Sequence, residues 1–235
     1  VRHNGRVGEN GFWRRLWSTA VGRKALMALT GLLMIGFLVT HLAGNLLVFE
    51  GPATFNGYSH SLLSPPMLYL TYLIEVALLV FFLVHLIAAL LVTARNRDAR
   101  PVRYARRRWA GGTSHKSISS TTMILSGLVV LVFVPLHLWT FKFGPHYVTT
   151  TEPHVRDLYR LVIEEFHEPG EVVWYVLAML VIGFHLWHGF GSAFESLGVP
   201  YRLPLRRVGQ ALAVVLAGGF ALIPIAIALF VGGPR

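Results

Sequence analysis

The sequence predicts an all-α integral membrane protein of five transmembrane helices, on three observations. With 54% of its 235 residues hydrophobic, 14% charged and a mean hydropathy of +0.57, the chain is too apolar for a soluble globular domain. Four stretches contain no Asp, Glu, Lys or Arg: 25 residues between Lys24 and Glu50, 25 between Lys116 and Lys142, 23 between Glu171 and Glu195, and 27 between Arg207 and Arg235. A fifth, Met67 to Ala94, is interrupted only by Glu75. A bilayer core needs about 20 helical residues, because backbone polar groups in lipid must bond within their own segment. Finally, the basic residues alternate by side: 17 lie in the N-terminal arm to Lys24, in Arg95 to Lys116 and in Glu195 to Arg207, against four in the other connections and at Arg235.

The whole chain, 1–235, reads as one membrane-anchor domain. Helix I runs from about Ala25 to Val48, II from Met67 to Thr93, III from Ser117 to Thr140, IV from Val172 to Phe194 and V from Val208 to Val231. By the positive-inside rule the N-terminus is cytoplasmic and the C-terminus outside, as five spans require, and the expected location is a bacterial cytoplasmic membrane. The formal charge of +10 does not point to nucleic acid, since the basic block Arg95 to Arg108 is accounted for as a topology signal and lipid-phosphate contact. No cleavable signal peptide is expected, because the first apolar stretch has span length and no small-residue cleavage pattern follows it.

The connections carry their own signals. Glu50 to Pro66, rich in Gly, Pro, Ser and Asn, reads as an ordered loop. Before helix IV, Val155, Leu158, Tyr159, Val162 and Phe166 recur at helical spacing among charged residues, which suggests either a short interfacial helix or a lid over the bundle mouth. A weak internal repeat runs through the spans. Thr30-Gly31-Leu32 precedes His41-Leu42 as Ser126-Gly127-Leu128 precedes His137-Leu138, each with ten residues from Gly to His, while II and IV carry His85-Leu86 and His185-Leu186. Helices I and III run one way and II and IV the other, the pattern of two hairpins related by an axis along the membrane normal.

Those four histidines matter because a polar side chain inside a span is costly unless partnered. Counted from the helix ends, His41 and His137 lie about 5 to 10 Å deep from the outer side, and His85 and His185 about 12 to 14 Å deep from the inner side, at 1.5 Å per residue. They therefore form two levels, each with two imidazoles on helices of like direction, as bis-imidazole ligation of two stacked haem b groups in a four-helix bundle of I to IV requires. On helix IV, His188 stands only about 60° around from His185 and spacing alone does not separate them. His185 is chosen because it leaves Gly189 on its own face, where a porphyrin can approach the backbone, with His188 as a supporting donor. With no Cys there is no disulfide, iron–sulfur ligand or covalent haem attachment, and a zinc site would need three or four ligands at one depth.

Two stretches resemble a known family. They are Lys24 to Ser64, with Thr30-Gly31, His41, Gly44-Asn45 and Phe55-Asn56-Gly57-Tyr58, and the run from His185 through Trp187-His188-Gly189-Phe190 to Gly198. Both are similar to the di-haem cytochrome b subunit of succinate dehydrogenases and fumarate reductases, the single-anchor type with five helices. The resemblance implies haem ligands at His41, His85, His137 and His185, paired I with III and II with IV. It also implies flavoprotein and iron–sulfur subunits docked on the cytoplasmic side, and exchange of electrons with a membrane quinone, often menaquinone. The dicarboxylate chemistry would belong to those partners. A Glu that some members carry two residues before the helix IV ligand is Gly183 here, which argues against that proton path.

Secondary candidates follow from position. Gly31 and Gly127 in the repeat leave space for a cofactor, and Arg23, Lys24 and Lys116 at the inner helix starts are candidates to pair with haem propionates. Glu50, Tyr58, His60 and Glu75 on the outer side are the candidate quinone contacts. Two readings compete with this one: a cytochrome b anchor of another quinone-linked dehydrogenase, such as a hydrogenase or formate dehydrogenase, and a haem-free membrane protein whose histidines bond across helices.

Overall fold

A computed structural model describes residues 10–98, 123–150, 154–200 and 202–232. Among these, the chain is mostly helical, with helices α1 (Asn10–Ser18), α2 (Ala20–Leu46), α3 (Pro52–Leu62), α4 (Met67–Asp98), α5 (Met123–Phe141), α6 (Leu158–Glu165), α7 (Pro169–Ser196) and α8 (Leu203–Phe230), a 3-10 turn at Leu47–Glu50 and an isolated antiparallel bridge between Val148 and Arg156. Five of these, α2, α4, α5, α7 and α8, are long and apolar enough to cross a membrane and correspond to predicted helices I to V. The first residues of predicted helix III lie outside the described residues.

Two elements correct the sequence reading. The connection expected to be a loop contains α3. Its start is set by Gly51 at φ 95°, a backbone conformation that favours glycine, followed by Pro52 at the first helical position. The N-terminal arm, read only for charge, forms the amphipathic α1. Thr19 in extended backbone separates it from α2 and caps α2 by accepting the Gly22 N–H at 3.0 Å. At the other end of the fold, α7 closes on Gly198 at φ 80°, with the Val199 N–H reaching the Phe194 carbonyl at 2.9 Å.

Packing follows the hairpins. α2 lies against α4 and α7, α5 against α7, and α4 touches α5 only lightly. That order makes a square whose diagonals join α2 with α5 and α4 with α7. α8 lies outside the square against α7 and α2, brought close by small residues: a Cβ on Gly219 would stand 2.8 Å from the Leu42 side chain and one on Gly183 2.9 Å from Ala217. Large apolar side chains cover the outer helix faces, with Leu73, Val76 and Leu79 of α4 all more than half exposed, so the surface requires lipid as its solvent.

One end of the bundle is covered and the other carries the basic residues of α1. At the covered end, α6 buries Leu161, Val162 and Ile163, so it acts as a lid rather than lying free at the interface. Asn56, 4% exposed, ties α3 to this lid: its amide donates to Asp157 at 2.8 Å and its carbonyl accepts the Tyr159 N–H at 2.8 Å. Asp157 in turn caps α6 by accepting the Arg160 N–H at 3.1 Å. At the base of the lid, His167 stands 2.7 Å from the Ile163 carbonyl and 3.1 Å from that of Val231 just past α8. Beside it, Arg160 holds the Glu164 carboxyl below the usual carboxylate range by hydrogen bonding. Replacing Asn56 with Ala strands the Tyr159 N–H and removes one of the two donors to Asp157 Oδ1. The expected cost of about 1–3 kcal/mol should appear as a lower midpoint of thermal unfolding in detergent.

Candidate metal centres

The four span histidines meet in two couples. His41 and His137 face each other across the α2–α5 diagonal with ring centres 5.9 Å apart and planes at 86°. His85 and His185 do so across the α4–α7 diagonal at 6.4 Å and 61°. A nitrogen lies about 1.1 Å from its imidazole centre and a metal–imidazole bond is about 2.0–2.1 Å, so two rings held in line by one ion stand about 6.2 Å apart. Both couples have that separation. His188 takes part in neither, although it stands one turn from His185 on α7.

Hydrogen bonds around the second couple leave a ring nitrogen of each imidazole available to a metal. The Ser126 hydroxyl donates to the Met123 carbonyl at 3.0 Å, so its oxygen is left to accept from His185 Nδ1, also at 3.0 Å. His85 Nδ1 lies 2.9 Å from the Met27 carbonyl and 3.4 Å from the Thr30 oxygen, while the Thr30 hydroxyl is bonded to Leu26 at 2.7 Å. In both rings Nδ1 therefore carries the proton, and Nε2 presents its lone pair. Thr30 and Ser126 occupy equivalent places in the internal repeat, each just before the glycine. Gly31 and Gly127 themselves lie against these rings: a Cβ on Gly31 would come 3.2 Å from His85 Cε1, and one on Gly127 3.6 Å from His185 Cε1.

The first couple is held by aromatic rings. Phe37 stacks on His41 at 5.1 Å and Phe133 on His137 at 5.6 Å, again at matching places in the repeat. The Tyr175 hydroxyl lies 3.3 Å from His137 Nδ1, and Phe220 of α8 approaches His41 at 5.6 Å. Asn45 Nδ2 stands 3.4 Å from each ring nitrogen of His41. Because Gly31 marks the level of His85 and His41 is ten residues further along the same helix, the couples are separated by about 15 Å along the bundle at 1.5 Å per residue. The same offset leads from Gly127 to His137 on α5, and on α4 and α7 it leads from the histidines to Glu75 and Tyr175.

The secondary candidates are scattered by the fold. Gly189 faces Met123 of α5, with 3.8 Å from its would-be Cβ to the methyl group. Arg23 is turned locally, its Nε donating to the Trp17 carbonyl at 2.6 Å, and Lys24 is exposed. Lys116 lies outside the described residues. Glu50 is exposed in the 3-10 turn, and Tyr58 packs against Gly44, where a Cβ would meet its ring at 2.8 Å. Glu75 forms an ion pair with Lys142 of the α5 end, an engagement that spacing along a single helix does not reveal.

Two pockets open at the covered end. One of about 380 Å³ lies between α5 and α7, lined by Leu136, Trp139, Thr140, Glu171, Trp174 and Tyr175. The other, of about 400 Å³, contains His60 among its lining. Tyr175 was not singled out from sequence, and the signal that marks it is the ten-residue offset from His185, the same that places Glu75 relative to His85.

Fold and site together define a multi-pass helical membrane protein with two imidazole couples stacked inside a four-helix bundle. Compared with protein-family profiles, with curated proteins and with solved structures, the chain matches none. Gly183 belongs to the α7–α8 contact, where Ala217 leaves no room for a longer side chain. Gly183→Ala should therefore cost about 1–3 kcal/mol by overpacking, and Ala217→Gly in the same chain should recover most of it. Thermal unfolding of the two single variants and the double variant measures this.

Proposed function

We propose that the chain is the membrane-anchor cytochrome b subunit of a succinate dehydrogenase or fumarate reductase, carrying two b haems. The observation that supports it is the pair of imidazole couples at iron-ligand separation, stacked about 15 Å apart along one bundle. Haem b held by two neutral imidazoles supplies reversible one-electron transfer without an open coordination position. His85 and His185 would hold the haem at the basic end, and His41 and His137 the one at the covered end. Thr30, Met27 and Ser126 fix the orientation of His85 and His185, Tyr175, Phe37 and Phe133 that of His41 and His137. Each helix thus contributes rigid, preset ligands, and the bundle spans the bilayer as an electron path.

On this reading the basic end faces the cytoplasm of a bacterium, where the exposed Arg14 and Arg15 of α1 can meet acidic patches on an iron–sulfur subunit bound to a flavoprotein. The quinone, menaquinone in this reading, reacts at the opposite end, in the pocket between α5 and α7. Two Trp rings there suit a flat apolar headgroup. Tyr175, Thr140 and Glu171 supply polar contacts, and Tyr175 also touches His137.

A reduced-minus-oxidised spectrum of the intact complex should show two b haems per chain, and their absence would remove the proposal. His85→Ala and His185→Ala should each abolish the same haem, and His41→Ala and His137→Ala the other. Loss patterns that join His41 with His85 would contradict the pairing. Tyr175→Phe should retain both haems and lower kcat/KM for quinone by about 2- to 13-fold, the worth of one hydrogen bond of about 0.5–1.5 kcal/mol, as read by steady-state quinone assays.

A further inference from the structure

The second pocket at the covered end has a surplus of hydrogen-bond donors. Arg156 is held in place by the Pro145 carbonyl at 3.2 Å and the Lys142 carbonyl at 3.5 Å, while its Nε is buried and has no partner among the described residues. An orphaned guanidinium donor in a native protein calls for an acceptor, and the described residues do not provide one. No carboxylate lines the pocket, and Arg156 makes no ion pair among the described residues. Burial lowers its pKa, as expected of a cation without a counter-charge. Around it stand Lys142, already matched to Glu75, and the imidazoles of His146, His60 and His154, the last two with ring centres 6.3 Å apart.

The position of the pocket defines its occupant further. Lys142 and Phe143 follow directly on the end of α5, and Tyr72 lies in the second turn of α4, so the pocket sits at the level where a span leaves the hydrocarbon. Phe143 is 67% exposed and Tyr69, on the same helix as Tyr72, 73%, which places aromatic rings at the lipid boundary beside the donors. A cationic, donor-rich cup opening on an aromatic rim suits a phosphate that brings its own apolar chains.

The geometry points to a binding site for the phosphate of one anionic phospholipid at this pocket, with Arg156 as its principal donor and Tyr72 and Phe143 along its acyl chains. A guanidinium donates charge-assisted hydrogen bonds to a phosphodiester, and the net positive lining distinguishes an anionic headgroup from a zwitterionic one. The site is separate from the histidine couples and does not depend on their occupancy.

The test uses the protein in its purified, delipidated complex in detergent, with phosphatidylglycerol or phosphatidylcholine of the same acyl chains added and retained lipid counted by native mass spectrometry. One phosphatidylglycerol should be retained about tenfold more tightly than phosphatidylcholine, a difference of about 1.4 kcal/mol. Arg156→Gln should remove that preference while helix content by circular dichroism stays unchanged. Should that variant fail to fold, a His146→Ala, His154→Ala double variant should lower the preference about threefold, in line with the loss of one or two weak donors. Equal retention of the two lipids, or an undiminished preference in a folded variant, overturns the inference. Displacement of the lipid by inorganic phosphate alone would assign the site to a soluble phosphate, and displacement by a short-chain quinone would assign it to quinone. Either result overturns the lipid as occupant.

Discussion

An imidazole in the interior of a membrane bundle must have a partner, since neither lipid nor an apolar core offers one. This chain places four of them there, and the architecture is arranged around satisfying them. Each inner ring has its Nδ1 met by a hydroxyl or a carbonyl from the other helix of its own hairpin, and each faces a second imidazole across a diagonal of the helix square. The glycines of the repeat follow from the same requirement. Gly31 allows α2 to approach the His85 ring at a distance where a methyl group would already press on it.

The repeat also explains how two centres of unlike surroundings arise from one motif. At the basic end, Thr30 and Ser126 bring short hydroxyl side chains to the rings, so that couple is oriented by hydrogen bonds. Ten residues along, the same helices present phenylalanine one turn before the histidine, and the rings there are held by stacking. Symmetry is broken by α8 outside the square and by an unlike residue on α7 within it. α8 packs against the α2 side and brings Phe220 to His41, while α7 brings Tyr175 to His137. The two couples thus sit in environments of different polarity.

The covered end serves a different purpose from the bundle below it. Asn56 and Asp157 lock α3 and the lid helix together with a few well-placed hydrogen bonds, and Phe166 and Phe141 close over Tyr175 from above. The result is a firm rim with two openings of different chemistry, one aromatic and nearly uncharged, the other donor-rich. That division separates a site suited to a flat neutral ring from one suited to an anion.

The five spans were legible in the sequence because bilayer thickness fixes their length and the cost of charge in lipid fixes their composition. The two levels of histidine were legible for a related reason, since depth follows directly from residue count along a helix. The sequence also marked Gly31 and Gly127 through their repeat. It did not reveal α3, whose Gly and Pro content reads as a loop until Gly51 and Pro52 are recognised as a helix start. Nor did it reveal the roles of Thr30, Ser126 and Tyr175, the pairing of Glu75 with Lys142, or the contact of Gly183 with Ala217. Position along a helix is a local quantity that the order of residues determines. The direction in which a side chain meets another helix depends on rotation and packing of the whole bundle, which the tertiary structure alone decides.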